Sequence, residues 1–254
     1  MEIAILVFMF ILGTLFGSFF NVVGYRLPNN MSIVKPGSHC PNCKHKLSPL
    51  ELIPILSYIF LGGKCKKCKK KIPIFYPIFE LITGLLFAFS YYIFGFSPML
   101  LVSLLFVSTV LIIMISDIKY MIIPDEVLIF STVFLFIIRL LLFEYSIWNI
   151  LLDMLIPFVF LLLLKLFGDL IFKKESMGGG DIKLMLVFGL ALGWEMSVVA
   201  VFLSAFIAFP VSLISLLKKK EHVLPFGPYL SIAALIMLFS KLDISNIIDI
   251  LIYK

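Results

Sequence analysis

Two stretches constrain this chain more than any other feature. Residues 100–115 hold no charged side chain, and residues 151–164 hold a single one, Asp153. In lipid every backbone N–H and C=O must be satisfied internally, which leaves helices or closed barrels. Barrel strands would be short and alternate polar with apolar residues. These runs do not alternate, so they predict helices. Composition agrees: 62% of the residues are hydrophobic and 14% charged, with mean hydropathy +1.15. A soluble domain carries about 25% charged residues, so an ordinary water-soluble enzyme is excluded. The expected fold class is an all-α polytopic membrane protein.

Apolar runs predict about eight transmembrane helices, over 3–23, 77–94, 98–116, 125–143, 149–171, 182–192, 196–217 and 227–240. The sixth and seventh arise by dividing a long run at Gly193-Trp194-Glu195. No basic segment precedes the first run, which reads as a retained helix and not a cleaved signal. Residues 24–76 break the pattern with Pro, Gly, Cys and Lys and form a polar insert. The expected organisation is a first helix at 1–23, the insert at 24–76 and a membrane-embedded core at 77–254.

Basic residues set the orientation. The insert holds ten: Arg26, Lys35, Lys44, Lys46, Lys64, Lys66, Lys67, Lys69, Lys70 and Lys71. Every second connection after it is basic, with Lys119, then Lys173, Lys174 and Lys183, then Lys218, Lys219 and Lys220. The opposite side has Lys241 and Lys254, while Arg139 and Lys165 fall within spans. The basic side is therefore read as cytoplasmic, with both termini outside. Anionic lipid headgroups account for the basic stretches, and no nucleic acid is expected as a partner.

The four cysteines form two C-x-x-C pairs, Cys40/Cys43 and Cys65/Cys68, all within the insert. Two such knuckles present four thiolates in the tetrahedral, closed arrangement of structural zinc. The rival reading is two disulfides or free thiols, and a reducing cytosol argues against lasting disulfides. His39 and His45 flank the first pair and read as bystanders.

Most acidic residues have plain readings at helix ends. Asp153 lies near an outer helix end, within reach of the headgroups, and Glu80, early in the second expected helix, reads as a buried-side carboxylate that serves either substrate or cofactor or a salt bridge or hydrogen bond with the insert. Two others differ. Asp117 ends the third expected helix, and Asp181 opens the sixth after Gly178, Gly179 and Gly180. The alternating topology puts both at one membrane depth. Intramembrane ionisable groups are functional candidates by default, and two adjacent carboxylates suit acid–base hydrolysis. The three glycines are expected to offer positive φ and close approach to a substrate chain. The competing reading of Asp181 is a helix cap.

The ordered set of motifs resembles the bacterial type IV prepilin peptidases, the bifunctional leader peptidase and N-methyltransferase family. It comprises Gly17-Ser18-Phe19-Phe20-Asn21, Tyr25-Arg26-Leu27-Pro28, the cysteine pairs, Tyr76-Pro77-Ile78-Phe79-Glu80, the segment from Asp117 to Pro124-Asp125, Gly178-Gly179-Gly180-Asp181 and Pro225-Phe226-Gly227-Pro228. The resemblance implies cleavage of basic leader peptides from type IV prepilins and from pseudopilins of competence or type II secretion systems. It further implies N-methylation of the new terminus with S-adenosylmethionine, through residues that the sequence does not identify. Asp117 and Asp181 would be the catalytic pair, and Gly178–Gly180 an active-site loop. Gly13, Gly17 and Ser18 of the first helix read as small residues at a helix contact, and exposed small-residue faces leave a homodimer open. Rival readings are a zinc-ribbon membrane scaffold or transporter, and a signal-peptide-peptidase-like aspartyl protease.

Overall fold

The structure, a computed structural model, describes residues 2–217 and 224–241. The lysines at 218–220 and the tail beyond 241, which carry part of the expected charge topology, lie outside the described residues. The helices are α1 (Glu2–Arg26), α2 (Leu56–Phe60), α3 (Phe75–Phe94), α4 (Pro98–Tyr120), α5 (Asp125–Leu142), α6 (Ile147–Phe172), α7 (Gly179–Leu192), α8 (Trp194–Leu217) and α9 (Gly227–Ser240). Each of the eight apolar runs is helical, and the described residues contain no strand. Helix α2, inside the insert, has no counterpart in the sequence reading.

Local chemistry explains the ends. Extended Ser97 precedes Pro98 in the first turn of α4, and Pro228 stands in the first turn of α9, where proline's missing N–H is not needed. The break between α7 and α8 is Gly193 at φ +82°, a conformation that disfavours any side chain.

Five helices are long and apolar enough to cross a membrane: α1, α3, α4, α6 and α8. Helices α7 and α9 have 14 residues each, about 21 Å of rise against a hydrocarbon core of about 30 Å. Helix α5 reaches 18 residues but carries Asp125, Glu126 and Arg139.

The chain divides into two compact units, Met1–Phe96 and Ser97–Lys254. In the first, α1 packs along α3 at close range. A Cβ on Gly13 would fall 2.7 Å from the Thr83 carbonyl, and one on Gly17 would fall 2.9 Å from Glu80 Cα. The small residues of the first helix thus serve a contact inside the unit. Helix α3 lies within the expected 77–254 core, yet it packs with α1, and the compact unit ends at Phe96.

In the second unit α4 is the central span. Two-thirds of its most apolar stretch is buried, against 17% for α6. Helix α7 is buried on nearly every side, including Leu184, Met185, Val187 and Phe188, and Phe188 meets Phe106 of α4 edge-on at 5.3 Å. A Cβ on Gly189 would coincide with the backbone carbonyl of Asp153, so α6 and α7 touch backbone to backbone.

Asp153 is engaged within the second unit. Its Oδ2 pairs with Arg139 Nη1 at 2.8 Å, and its Oδ1 accepts the Trp194 N–H at 3.3 Å. An unpaired charge in such a place is costly, so the arginine of α5 and the aspartate of α6 neutralise one another.

Candidate active site and cysteine cluster

The C-terminal end of α4 and the N-terminal end of α7 come together in the second unit. Asp117 lies in the last turn of α4. The chain then turns at Met121 in the left-handed conformation, whose N–H bonds back to the Asp117 carbonyl at 2.9 Å. The Ser116 hydroxyl donates to the Ile122 carbonyl and secures this turn. Ile123, next in the chain, lies against Gly180, where a Cβ would be 2.8 Å from Ile123 Cβ.

Asp117 is 6% exposed, and its Oδ2 accepts the backbone N–H of Gly227 at 3.0 Å. Gly227 opens α9, where first-turn N–H groups lack helical partners. A Cβ there would fall 2.6 Å from Asp117 Oδ2, so the approach requires glycine. Sequence reasoning quoted Pro225–Pro228 as a motif but assigned it no role. A glycine and a proline at a helix start were the available signal.

Asp181, the third residue of α7, is 7% exposed. No side-chain cap hydrogen bond is made at this helix start, and Asp181 Oδ1 is buried with no partner. The capping alternative therefore finds no hydrogen bond. Ile123 packs against both Gly180, which precedes Asp181, and Gly227, which touches Asp117, so the two aspartates belong to one neighbourhood.

The glycines depart from expectation in their backbone conformation. None of Gly178, Gly179 and Gly180 has positive φ; Gly178 sits at −66° and the other two are helical. Their value is space. Gly180 admits Ile123, while a Cβ on Gly179 would meet nothing within 4 Å. Beside them Lys183 Nζ bonds both oxygens of Asp125, at 2.8 and 2.7 Å. This pair joins α7 to the first turn of α5 and was not foreseen.

In the first unit the four cysteine sulfurs all lie within 4.8 Å of one another. The two knuckles repeat one design. The Cys40 N–H bonds the His45 carbonyl and the Lys44 N–H returns to Cys40; the Cys65 N–H bonds the Lys70 carbonyl and the Lys69 N–H returns to Cys65. Lys44 and Lys69 take the left-handed turn position in each. The Cys40–Cys68 and Cys43–Cys65 sulfur distances are 3.8 and 3.9 Å. A tetrahedral zinc with ordinary Zn–S bonds needs about 3.8 Å between sulfurs.

Protonation chemistry agrees with a cation site. The N–H of Cys43, then that of Asn42, lowers the Cys40 thiol to about 6. The Lys70 N–H favours a thiolate at Cys68, but burial and the three neighbouring sulfur groups prevail and raise it to about 11. Four thiolates cannot gather here unless a cation offsets them. The donor set is therefore fit to hold a metal ion. The histidines are engaged elsewhere: His39 Nδ1 with the Gly37 carbonyl, and His45 Nε2 with Glu51. The Ser48 N–H and hydroxyl hold Glu51 below the usual carboxylate range.

Glu80 serves the insert. Its Oε2 accepts the Ile55 N–H at 2.7 Å, at the start of α2. No comparable cradle for a methyl donor is formed among the described residues. The buried unpartnered side-chain acceptor of this unit is Asn21 Oδ1, packed between α1 and α3. One acceptor without surrounding donors does not fit an adenosyl group.

Comparison with known proteins bears on the whole arrangement. Residues 11–94 match the Bacterial Peptidase A24 N-terminal domain, and residues 104–213 match the Type IV leader peptidase family. A prepilin leader peptidase/N-methyltransferase of Bacillus subtilis is 38% identical over 231 residues, covering 90% of this chain and 91% of the relative. Proteins of the same name from Pseudomonas aeruginosa and Stutzerimonas stutzeri are 35% and 32% identical, each across 90% of this chain and 88% of its own length. No solved structure matches significantly. Two matching domains in order, and relatives aligned almost end to end, place this chain in the type IV leader peptidase family.

Proposed function

We propose that this multi-pass membrane protein is an aspartic endopeptidase that removes leader peptides from type IV prepilins and related pseudopilins, then N-methylates the new terminus. The observation that carries the peptidase reading is the buried pair Asp117 and Asp181, joined by helix packing, with one carboxylate oxygen left unpartnered. Family membership supplies the substrate class.

One carboxylate of the pair, ionised, takes a proton from water as it attacks the scissile carbonyl. The other, protonated, donates to the carbonyl oxygen. Collapse of the tetrahedral intermediate returns a proton to the leaving amine. The Gly227 N–H occupies a lone pair of Asp117 Oδ2, so a proton on Asp117 resides on Oδ1. Open space beside Gly179 lets an extended substrate backbone approach. Gly178–Gly180 form the substrate loop.

The remaining assignments belong to the same reading. Cys40, Cys43, Cys65 and Cys68 hold a structural zinc, which has no open coordination position for catalysis. S-adenosylmethionine is the methyl donor by family resemblance, and no step is derived through it. Helix one and the 24–76 insert serve methyl transfer, and the 77–254 segment supplies the peptidase. All eight long or short apolar helices lie in the inner membrane, with both termini outside and the insert and aspartates at the cytoplasmic face. Lipid surrounds the helices, and a homodimer is compatible with the exposed apolar faces.

Incubation with a prepilin, followed by mass spectrometry of the product's amino terminus, tests both activities together. Cleavage by Asp117→Asn or Asp181→Asn at the wild-type rate would remove the pair from the mechanism.

A further inference from the structure

The insert carries an apolar face that the described residues leave open. Leu56, Ile59 and Phe60 stand three and four residues apart on one side of α2, and Ile59 and Phe60 are 64% and 83% exposed. Tyr58 turns the other way. Its ring lies where a Cβ on Gly63 would be 2.9 Å off, and its hydroxyl donates to the Ile72 carbonyl at 3.4 Å. The side facing the cysteine knuckles is thus the one with the polar tip. In a water-exposed domain this pattern would be reversed.

Two internal bonds fix the level of α2. The Ile55 N–H at its start bonds Glu80. Glu80 is the sixth residue of α3, about 7.5 Å along the helix axis. Asn21 Nδ2 of α1 donates to the Tyr76 carbonyl at 3.2 Å, so the cytoplasmic ends of α1 and α3 share one level. Helix α3 has 20 residues, about the 30 Å of a hydrocarbon core with little to spare. The start of α2 is therefore drawn down to the headgroup layer.

Charge points the same way. Over residues 27–74 the insert holds nine lysines and one acidic residue, Glu51, which is occupied by Ser48. Lys64, Lys66, Lys67, Lys69, Lys70 and Lys71 are all exposed. A second copy would bring the same positive surface against this one, whereas anionic lipid complements it.

We propose that α2 is a membrane-interface anchor, with Leu56, Ile59 and Phe60 seated at the headgroup–acyl boundary and the lysines of 64–71 on the phosphates of anionic lipid. The insert is then held flat on the leaflet from which α1 and α3 emerge.

The test uses the full chain in nanodiscs of phosphatidylcholine with or without phosphatidylglycerol. Native Trp148 and Trp194 are changed to Phe, and single tryptophans are introduced as F60W, K46W or F8W. With lipid brominated near the glycerol end, F60W emission is expected blue-shifted and quenched roughly twofold, more strongly with phosphatidylglycerol. K46W is expected to stay unquenched. Changing Lys66, Lys67, Lys69 and Lys70 to Gln should remove the phosphatidylglycerol increment. F8W, on the exposed side of α1, reports spanning by quenching from bromine deep in the chains, so failure of the membrane reading is seen separately from failure of the anchor. A water-like, unquenched F60W overturns the proposal. So does F60W emission that changes with protein density and not with lipid, which would make this face a contact between copies. A phosphatidylglycerol increment that survives the lysine changes overturns the headgroup assignment.

Discussion

The backbone N–H of Gly227 donates to the carboxylate of Asp117 at 3.0 Å, across 110 residues of sequence. The first turn of α9 therefore helps aim a proposed catalytic side chain on α4. Gly227→Ala would place a Cβ 2.6 Å from Asp117 Oδ2. Overpacking of this kind costs about 1–3 kcal/mol, and displacing a reacting group by about 1 Å can cost about a hundredfold in rate. We expect kcat for leader cleavage to fall at least about tenfold, with thermal stability only modestly lowered. An unchanged kcat would detach α9 from the chemistry.

Replacing either Asp117 or Asp181 by Asn removes a proton donor or acceptor while keeping shape. Cleavage should fall by about 10²–10⁴-fold. Methylation of a substrate already lacking its leader should persist, as measured by mass spectrometry.

The cysteine cluster should bind one zinc per chain, read by elemental analysis. Cys40→Ser should lower that stoichiometry and raise amide exchange across the insert, with a smaller effect on cleavage. Loss of cleavage equal to that of the aspartate variants would mean that the metal reaches the chemistry.

In metal-stripped protein the thiols should titrate apart. Cys40 is lowered to about 6 by the N–H groups of Cys43 and Asn42. It should alkylate as a thiolate with a midpoint near that pH, while Cys68, raised to about 11, stays protonated at neutrality. Because the Cys40 shift is a depression, its contribution to insert stability is complete above the ordinary thiol range. It fades as pH falls through about 6. Iodoacetamide labelling followed by peptide mapping measures the order.

Two ion pairs should behave oppositely. Lys183–Asp125 is half exposed on both sides, so screening limits Lys183→Gln to less than about 1 kcal/mol. Arg139–Asp153 is largely buried, and Asp153→Ala leaves an uncompensated arginine, a loss of about 3–5 kcal/mol. Thermal melts in one detergent compare them directly.

Local pattern made much of this molecule legible. Apolar runs gave every described α-helix but α2 within a few residues, and Gly193 marked the α7–α8 break because its positive φ is a single-residue property. The knuckles were readable because C-x-x-C spacing carries its own geometry. Distant pairing was not readable. Arg139, within a span, and Asp153, near a helix end, gave no sign of pairing; a bond from Glu80 to the insert was one expectation but Ile55 could not be named; and Gly227 had no visible partner at Asp117. Each depends on which helices become neighbours, and periodicity along one helix does not specify that. Of the two properties expected of Gly178–Gly180, positive φ is absent while room beside Gly179 is present, since chain permissiveness and absence of bulk leave the same mark in sequence.

The backbone contact at Gly189 has a consequence for motion. Helix α7 is keyed at one end by the Asp153 carbonyl over Gly189 and at the other by Ile123 over Gly180. A rod seated in two notches can neither slide nor turn without unseating both. The proposed catalytic Asp181 is therefore carried on a helix held at both ends, and its position relative to the substrate is set by packing and not by a hydrogen bond.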